Sequence, residues 1–253
     1  MYKGEINLSR ARGTKAQRRL QQQHEYIENT IDFRQVQKPH NKHIDLIPKT
    51  RAQENLILNL LDQSKPIVVA VGPAGTGKSY LATLAALKSL RKGEVQKIVL
   101  TRPAVGVEDE KHGFLPGDLL KKMEPWTRPL LDIIKEFYSP KEVVKLLDDE
   151  IIEISPLAFM RGRTFKNCWI VADEMQNATP NQLKMLLTRI GQGSKIVVTG
   201  DVEQTDRTLS NNGLLDLAKR IQQSQIDGLS LCTLGSKDVQ RHPLIAGILQ
   251  MYS

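Results

Sequence analysis

The chain has 253 residues and a formal net charge of +8, with 36 Lys and Arg residues against 28 Asp and Glu residues. This length can bury a substantial core, which favours one globular domain with a short attachment. No apolar run approaches the length of a membrane span, and two cysteines are too few for a disulfide scaffold. Cys168 and Cys232 lie in apolar runs, so we expect them to be reduced and the protein to be cytoplasmic.

The amino-terminal segment, residues 1–45, differs in composition from the rest of the chain. Basic residues outnumber acidic ones in this segment. Before the glutamines at 21–23, Glu5 is the acidic residue, and the basic residues are Lys3, Arg10, Arg12, Lys15, Arg18 and Arg19. Such a basic arm predicts contact with the phosphates of a nucleic acid, with little sequence preference. A solvated tail is the alternative interpretation.

Residues 46–253 alternate between short β-branched runs and helical patterns, which predicts an α/β fold. The predicted strands are Pro66–Val71, Lys97–Thr101, Glu150–Ile154, Asn167–Ala172, Lys195–Thr199 and Leu229–Thr233. Helical patterns follow at Tyr80–Leu87, Asn181–Arg189 and Gly213–Lys219. We therefore expect a three-layer domain, with a mostly parallel sheet between two layers of helices.

A glycine-rich loop follows the first predicted strand and matches the pattern G-x-x-x-x-G-K-[ST]. Its residues are Gly72, Pro73, Ala74, Gly75, Thr76, Gly77, Lys78 and Ser79, and Tyr80 continues into the helix. Glycines let backbone N–H groups approach phosphates, a lysine reaches the β and γ oxygens, and a serine hydroxyl ligates Mg²⁺. Since a strand precedes the loop and a helix follows it, the pattern predicts a nucleoside triphosphate site rather than a structural turn.

The connection from Val105 to Thr127 is long and rich in Gly, Pro and charge. It carries Phe114 and Trp126 among basic residues such as Lys121 and Lys122. Aromatic and basic side chains together suit single-stranded nucleic acid. The alternative is that the two aromatic side chains form a small core that holds this connection together.

Two acids, Asp173 and Glu174, end the apolar run at 168–172. With the glycine-rich loop they predict a Walker B strand, in which Asp173 serves Mg²⁺ and Glu174 polarises the attacking water. The alternative is that they only cap the helix that begins near Pro180. The next strand ends in a polar tip that includes Gln204, and ligands of parallel sheets collect at such carboxyl ends.

The order of these motifs closely resembles the PhoH family, over roughly residues 49–252. The motifs are Thr101–Val105, Gly113–Asp118, Asp173–Asn177, Gly200–Gln204 and Arg241–Leu244. The resemblance implies a P-loop ATPase whose core is similar to the first RecA-like domain of superfamily-one helicases. It departs from the family at Met175, where alanine is usual, and in the amino-terminal arm.

The resemblance also implies roles for single residues. Gln204 corresponds to the helicase glutamine that senses the γ-phosphate, and Gln53 to the glutamine that reads the adenine edge, for which an amide offers both a donor and an acceptor. Without the resemblance, Gln53 would be interpreted as an ordinary residue on a helix surface.

The resemblance leads us to expect one RecA-like domain in this chain, whereas such motors usually take the arginine that stabilises the transferring phosphoryl group from across an interface. We therefore expect a homo-oligomer, by family analogy a hexameric ring, with Arg189 or Arg241 as the arginine supplied by the neighbour. RNA or single-stranded DNA is the expected load. A nucleotide-dependent switch or scaffold for a protein partner is the main alternative, and a small-molecule kinase is a third.

Overall fold

The structure, a computed structural model, describes residues 42–103, 127–204, 212–224, 226–240 and 251. Residues 1–41 of the amino-terminal segment, the connection from Val105 to Trp126, and Arg241 with the motif that it opens lie outside the described residues. Predictions made for them therefore remain predictions.

The described residues form one sheet of six strands in the order β3-β2-β4-β5-β1-β6, and every pair of neighbours is parallel. The strands are β1 Ile67–Val71, β2 Lys97–Thr101, β3 Ile152–Ile154, β4 Cys168–Ala172, β5 Lys195–Gly200 and β6 Leu229–Thr233. The helices are α1 Arg51–Leu61, α2 Lys78–Arg91, α3 Pro140–Asp148, α4 Pro180–Leu187 and α5 Gly213–Gln223. Residues 127–135 are also helical, and short 3₁₀ turns occupy Leu157–Met160, Met175–Asn177 and Ser236–Asp238.

Apolar side chains on both faces of the sheet explain why it is covered twice. Along β1, Val68 and Ala70 belong to a core cluster with α1, α2 and α3, whereas Val69 and Val71 belong to a second cluster with α4 and α5. Strands that are buried on both faces read as continuous β-branched runs. The predicted three-layer α/β fold is confirmed.

Local signals set the helix boundaries that the prediction placed within a few residues. Thr179 caps α4 in a capping box with Gln182, and Pro180 opens its first turn. The predicted third strand was too long at its start, because Glu150 has a left-handed backbone, with φ 53°, and belongs to the turn after α3. The helix after the glycine-rich loop begins at Lys78, two residues earlier than predicted, and ends at Arg91.

Candidate nucleotide site

The glycine-rich loop connects the carboxyl end of β1 to the amino end of α2. Gly72, Gly75 and Gly77 all have positive φ angles, of 152°, 84° and 84°. A Cβ atom on Gly72 would lie 2.3 Å from the carbonyl oxygen of Leu234, so that position has no room for a side chain. The backbone path of the loop therefore depends on glycine, and it leads directly to a helix amino terminus, which favours an anion.

Lys78, the first residue of α2, lies over this loop. Its side chain is buried, and Nζ donates to the carbonyl oxygens of Gly72 at 2.6 Å and Pro73 at 2.7 Å and to Thr76 Oγ1 at 3.2 Å. The loop thus holds the ammonium group in the position from which the lysine of this motif reaches phosphate oxygens.

Asp173 is the carboxylate that contacts the hydroxyl of Ser79. Its residue is only 1% exposed, and its Oδ1 accepts from Ser79 Oγ and from Thr199 Oγ1, each at 2.5 Å. Thr199 takes part because β5 lies between β1 and β4, so that its end falls between the loop and the Walker B strand. A hydroxyl and a carboxylate in contact are the hard oxygen donors that Mg²⁺ prefers, so these residues fit that ion.

Arg102 binds the other oxygen of this carboxylate. Its Nε and Nη2 atoms donate to Asp173 Oδ2 at 3.0 Å and 2.5 Å, and Nη2 lies 3.5 Å from Glu174 Oε1. No role was predicted for Arg102, although this residue directly follows β2. The rule that polar residues gather at the carboxyl ends of parallel strands would have found it.

Glu174 is held in an unusual conformation beside Asp173. Its backbone is left-handed, with φ 56° and ψ 37°, and its side chain is 47% exposed. Gln176, which is buried, donates from Nε2 to Glu174 Oε2 at 2.6 Å. A non-glycine residue with positive φ costs free energy, and such strain is concentrated at functional sites.

Gln176 also connects Glu174 to the polar tip that follows β5. Its Oε1 accepts from the backbone N–H of Asp201 at 3.2 Å, while Oδ2 of Asp201 accepts from the backbone N–H of Ala74 in the loop at 3.2 Å. Hydrogen bonds thus run from Glu174 through the β5 tip to the phosphate loop. No role was predicted for Gln176 or Thr199, because nothing in the local sequence shows that they contact the two acids.

The cavity at this edge of the sheet has a volume of about 230 Å³. Its lining combines the loop, the acids and the β5 tip, namely Ala74, Gly75, Gly77, Lys78, Ser79, Tyr80, Asp173, Glu174, Gly200, Asp201 and Gln204. Gln204 is exposed there. Tyr80 donates to Glu136 Oε2 at 3.2 Å, and partial burial, together with the charge of Glu136, raises the pKa of Tyr80.

Gln53 contacts the back of the loop. It is 4% exposed, so it is not the ordinary residue of a helix surface that its local pattern alone would suggest. Nε2 donates to the carbonyl oxygen of Thr76 at 3.0 Å, and Oε1 accepts from the backbone N–H of Lys49 at 2.8 Å. Gln53 thus connects α1 to the loop, and its reading of adenine stays a prediction.

Arg189 lies far from this cavity within its own chain. It follows α4 and precedes β5, at the amino edge of the sheet, whereas the loop follows the carboxyl end of β1. Its guanidinium donates to the carbonyl oxygens of Met185 at 3.2 Å and Arg163 at 3.4 Å. Arg189 can therefore meet a nucleotide only in another copy of the chain, and that role stays a prediction.

A parallel sheet with a glycine-rich phosphate loop, a lysine over that loop and a serine in contact with a buried aspartate defines the class of P-loop nucleotide-binding proteins. The family model described as PhoH-like protein matches residues 45–253. The chain belongs to the PhoH family, a P-loop family of the ATPase type, as its motifs predicted.

Relatives of this family align with most of the chain. A PhoH-like protein of Bacillus subtilis is 42% identical over 228 residues, which are 90% of this chain and 70% of the relative. A PhoH-like protein of Synechocystis is 46% identical over 75% of this chain and 57% of its own length, and Protein PhoH of Escherichia coli is 37% identical over 76% and 54%. The chain thus spans from about half to 70% of the length of these relatives.

None of the described helices combines the length and the apolar character needed to cross a membrane.

Cys168 and Cys232 are both buried and free, and burial raises the pKa of both thiols, that of Cys232 to about 11.

Proposed function

We propose that this protein binds Mg·ATP and hydrolyses it. The observation that carries the proposal is the contact of 2.5 Å between Ser79 Oγ and Asp173 Oδ1, at the mouth of a loop whose glycines have positive φ. That contact brings together the hydroxyl and the carboxylate that a nucleotide-bound Mg²⁺ requires.

The residues divide the work of phosphoryl transfer to water. Backbone N–H groups of the loop and the ammonium of Lys78 bind the phosphate oxygens. Ser79 and Asp173 would hold Mg²⁺, which supplies positive charge against the β and γ oxygens. The carboxylate of Glu174 accepts the proton of the water whose oxygen attacks the γ-phosphorus, while the bond to the bridging oxygen breaks and ADP leaves.

We further propose that turnover moves RNA or single-stranded DNA through a ring of identical subunits. The support is the basic amino-terminal segment and the resemblance to helicase motors. The position of Arg189 at the opposite edge of the sheet is compatible with a role in a neighbour's site, and Arg241 is the second candidate. Gln204 would couple loss of the γ-phosphate to movement of the β5 tip.

The test is ATP hydrolysis by the wild type and Glu174→Gln, with and without single-stranded RNA and DNA, at low and moderate salt. We expect the variant to retain nucleotide binding and to lose about 100-fold or more in turnover, since it lacks a general base. Stimulation by the polymer should weaken as salt rises.

Glu150→Gln is the matched control, because Glu150 is also a left-handed glutamate, with φ 53°, but lies in the turn before β3. It should hydrolyse ATP as the wild type does. Nucleotide binding without hydrolysis in the wild type would instead support the switch or scaffold function, and equal rates in Glu174→Gln and wild type would contradict the assignment of the base.

A further inference from the structure

Arg102 is a cation built into the candidate site. It follows β2, whose Thr101 pairs in register with Ala172 of β4, so its guanidinium reaches the two acids that end β4. The side chain is 13% exposed, and the residues described as lining the nucleotide cavity do not include it. Arg102 is thus a largely buried cation in contact with both acids.

The two oxygens of Asp173 have different partners. Oδ1 accepts from the hydroxyls of Ser79 and Thr199, and Oδ2 accepts from Nε and Nη2 of Arg102. A buried carboxylate needs an opposite charge, and a guanidinium held by two of its N–H groups meets that need with fixed geometry. The carboxylate thus turns one oxygen toward the serine of the phosphate loop and the other toward Arg102.

Arg102 acts on the second acid as well. Its Nη2 lies 3.5 Å from Glu174 Oε1, while Gln176 donates to Glu174 Oε2 at 2.6 Å. The carboxylate of Glu174 therefore lies between a cation and an amide. Both contacts restrain a side chain that is 47% exposed and whose backbone is left-handed.

We propose that Arg102 is a positioning residue for hydrolysis, one that aligns Asp173 and Glu174 and raises the Mg²⁺ concentration that nucleotide binding requires. This inference rests on the proposed ATPase function. The guanidinium repels a divalent ion bound at Asp173 Oδ1, which weakens metal binding. The same guanidinium fixes Glu174, which speeds the chemical step. Its removal should therefore change two observables in opposite directions.

The experiment compares Arg102→Gln with Arg102→Lys, because both side chains can still donate a hydrogen bond to Asp173 and only the second keeps the charge. A fluorescent, non-hydrolysable ATP analogue is titrated with Mg²⁺, and steady-state hydrolysis is measured separately. For Arg102→Gln we expect the Mg²⁺ concentration for half-maximal analogue binding to fall about tenfold, while kcat falls about tenfold or more.

Arg102→Lys should return the Mg²⁺ requirement to within about threefold of wild type, since it restores the charge. Its kcat should stay below that of wild type, because an ammonium does not provide the guanidinium fork. Arg163→Gln is the control. Arg163 makes a bidentate contact with Glu153 of β3. Replacement of Arg163 should therefore leave both the Mg²⁺ requirement and kcat unchanged.

An unchanged or increased Mg²⁺ requirement in Arg102→Gln would overturn the inference, as would equal requirements in the Gln and Lys variants. Circular dichroism and thermal unfolding check that the variants are folded, and Arg102→Lys still tests the geometric half through kcat if Arg102→Gln does not fold. Absence of analogue binding in the wild type itself would overturn the proposed function rather than the role of Arg102.

Discussion

Two buried lysines occupy opposite edges of the sheet, and the comparison separates a binding role from a structural one. Lys78 and Lys195 are each 7% exposed, and each donates to backbone carbonyl oxygens. The carbonyl groups bound by Lys78 belong to the loop before α2, whereas Lys195 binds those of Asn59, Leu60 and Asp62 at the end of α1, at 3.2, 2.6 and 2.7 Å.

Helix polarity explains the difference. Lys195 lies at a helix carboxyl terminus, where a cation is itself the favoured partner of the exposed carbonyl groups. Lys78 lies at a helix amino terminus, where the helix and the ammonium carry positive potential together, so this end of the sheet favours an anion. Burial and hydrogen bonding alone do not distinguish the two lysines, but the helix end that each one contacts does.

The largest effect should come from exchanging each lysine for methionine. Lys78→Met should lose about 1,000-fold in ATP turnover, since the phosphate charge is no longer met. Its free energy of unfolding should change by less than about 1 kcal/mol, because removal of a buried cation from a helix amino terminus offsets the hydrogen bonds that Gly72 and Pro73 lose. Lys195→Met should show the reverse, with nucleotide affinity unchanged and a loss of about 2 kcal/mol, because three carbonyl groups lose their donor. Urea unfolding and nucleotide titration check both, and similar profiles for the two variants would contradict the comparison.

A smaller effect on the nucleotide site should come from replacing a glycine by alanine, at the carboxyl ends of the strands and at their amino ends. Gly72→Ala places a Cβ 2.3 Å from Leu234 O, so we expect a loss of about 3 kcal/mol and a nucleotide affinity lowered about 100-fold. Gly93, at the amino edge after α2, has φ 70° and no atom within 4 Å of a Cβ placed there. Gly93→Ala should therefore cost about 1 kcal/mol and leave nucleotide affinity unchanged, as measured by the same two methods.

The smallest effect concerns pH at the amino edge. Burial lowers the pKa of Lys195 from its ordinary 10.5 to about 8, so the native state releases this proton before the unfolded chain does. Between about pH 8 and 10.5 the unfolded state binds more protons, and the contribution of Lys195 to the free energy of unfolding therefore rises with pH. Below about pH 8 Lys195 is protonated in both the native and the unfolded state, so its contribution to the free energy of unfolding does not change with pH.

Urea unfolding at pH 7.5 and pH 9.5 tests the pH dependence. The stability difference between wild type and Lys195→Met should widen at the higher pH. Lys184→Met removes an exposed lysine from α4 and should show no such widening. Equal differences at both pH values would show that Lys195 titrates as an ordinary lysine.

Much of the fold followed from local pattern. The bounds of β2 and β6 agree with the prediction residue for residue. In β2 the β-branched residues Ile98 and Val99 lie in an apolar run between Gln96 and Arg102, which is a typical strand signal. The start of β3 was wrong because the left-handed backbone at Glu150 is a property of the turn after α3. The burial of Gln53 could not be predicted from its local pattern, because it arises from a distant contact with Thr76 of the loop.

The sequence alone determined the class of fold, and it located the glycine-rich loop and the two acids after β4, because glycines, a hydroxyl and acids at the ends of apolar runs are local signals. The tertiary structure alone decided which side chains complete the site. Ser79 and Arg102 meet Asp173 across 94 and 71 positions of the chain, and Thr199 reaches it because β5 lies between β1 and β4. Strand order is a property of the whole packed sheet, so only the folded chain brings these partners to one carboxylate.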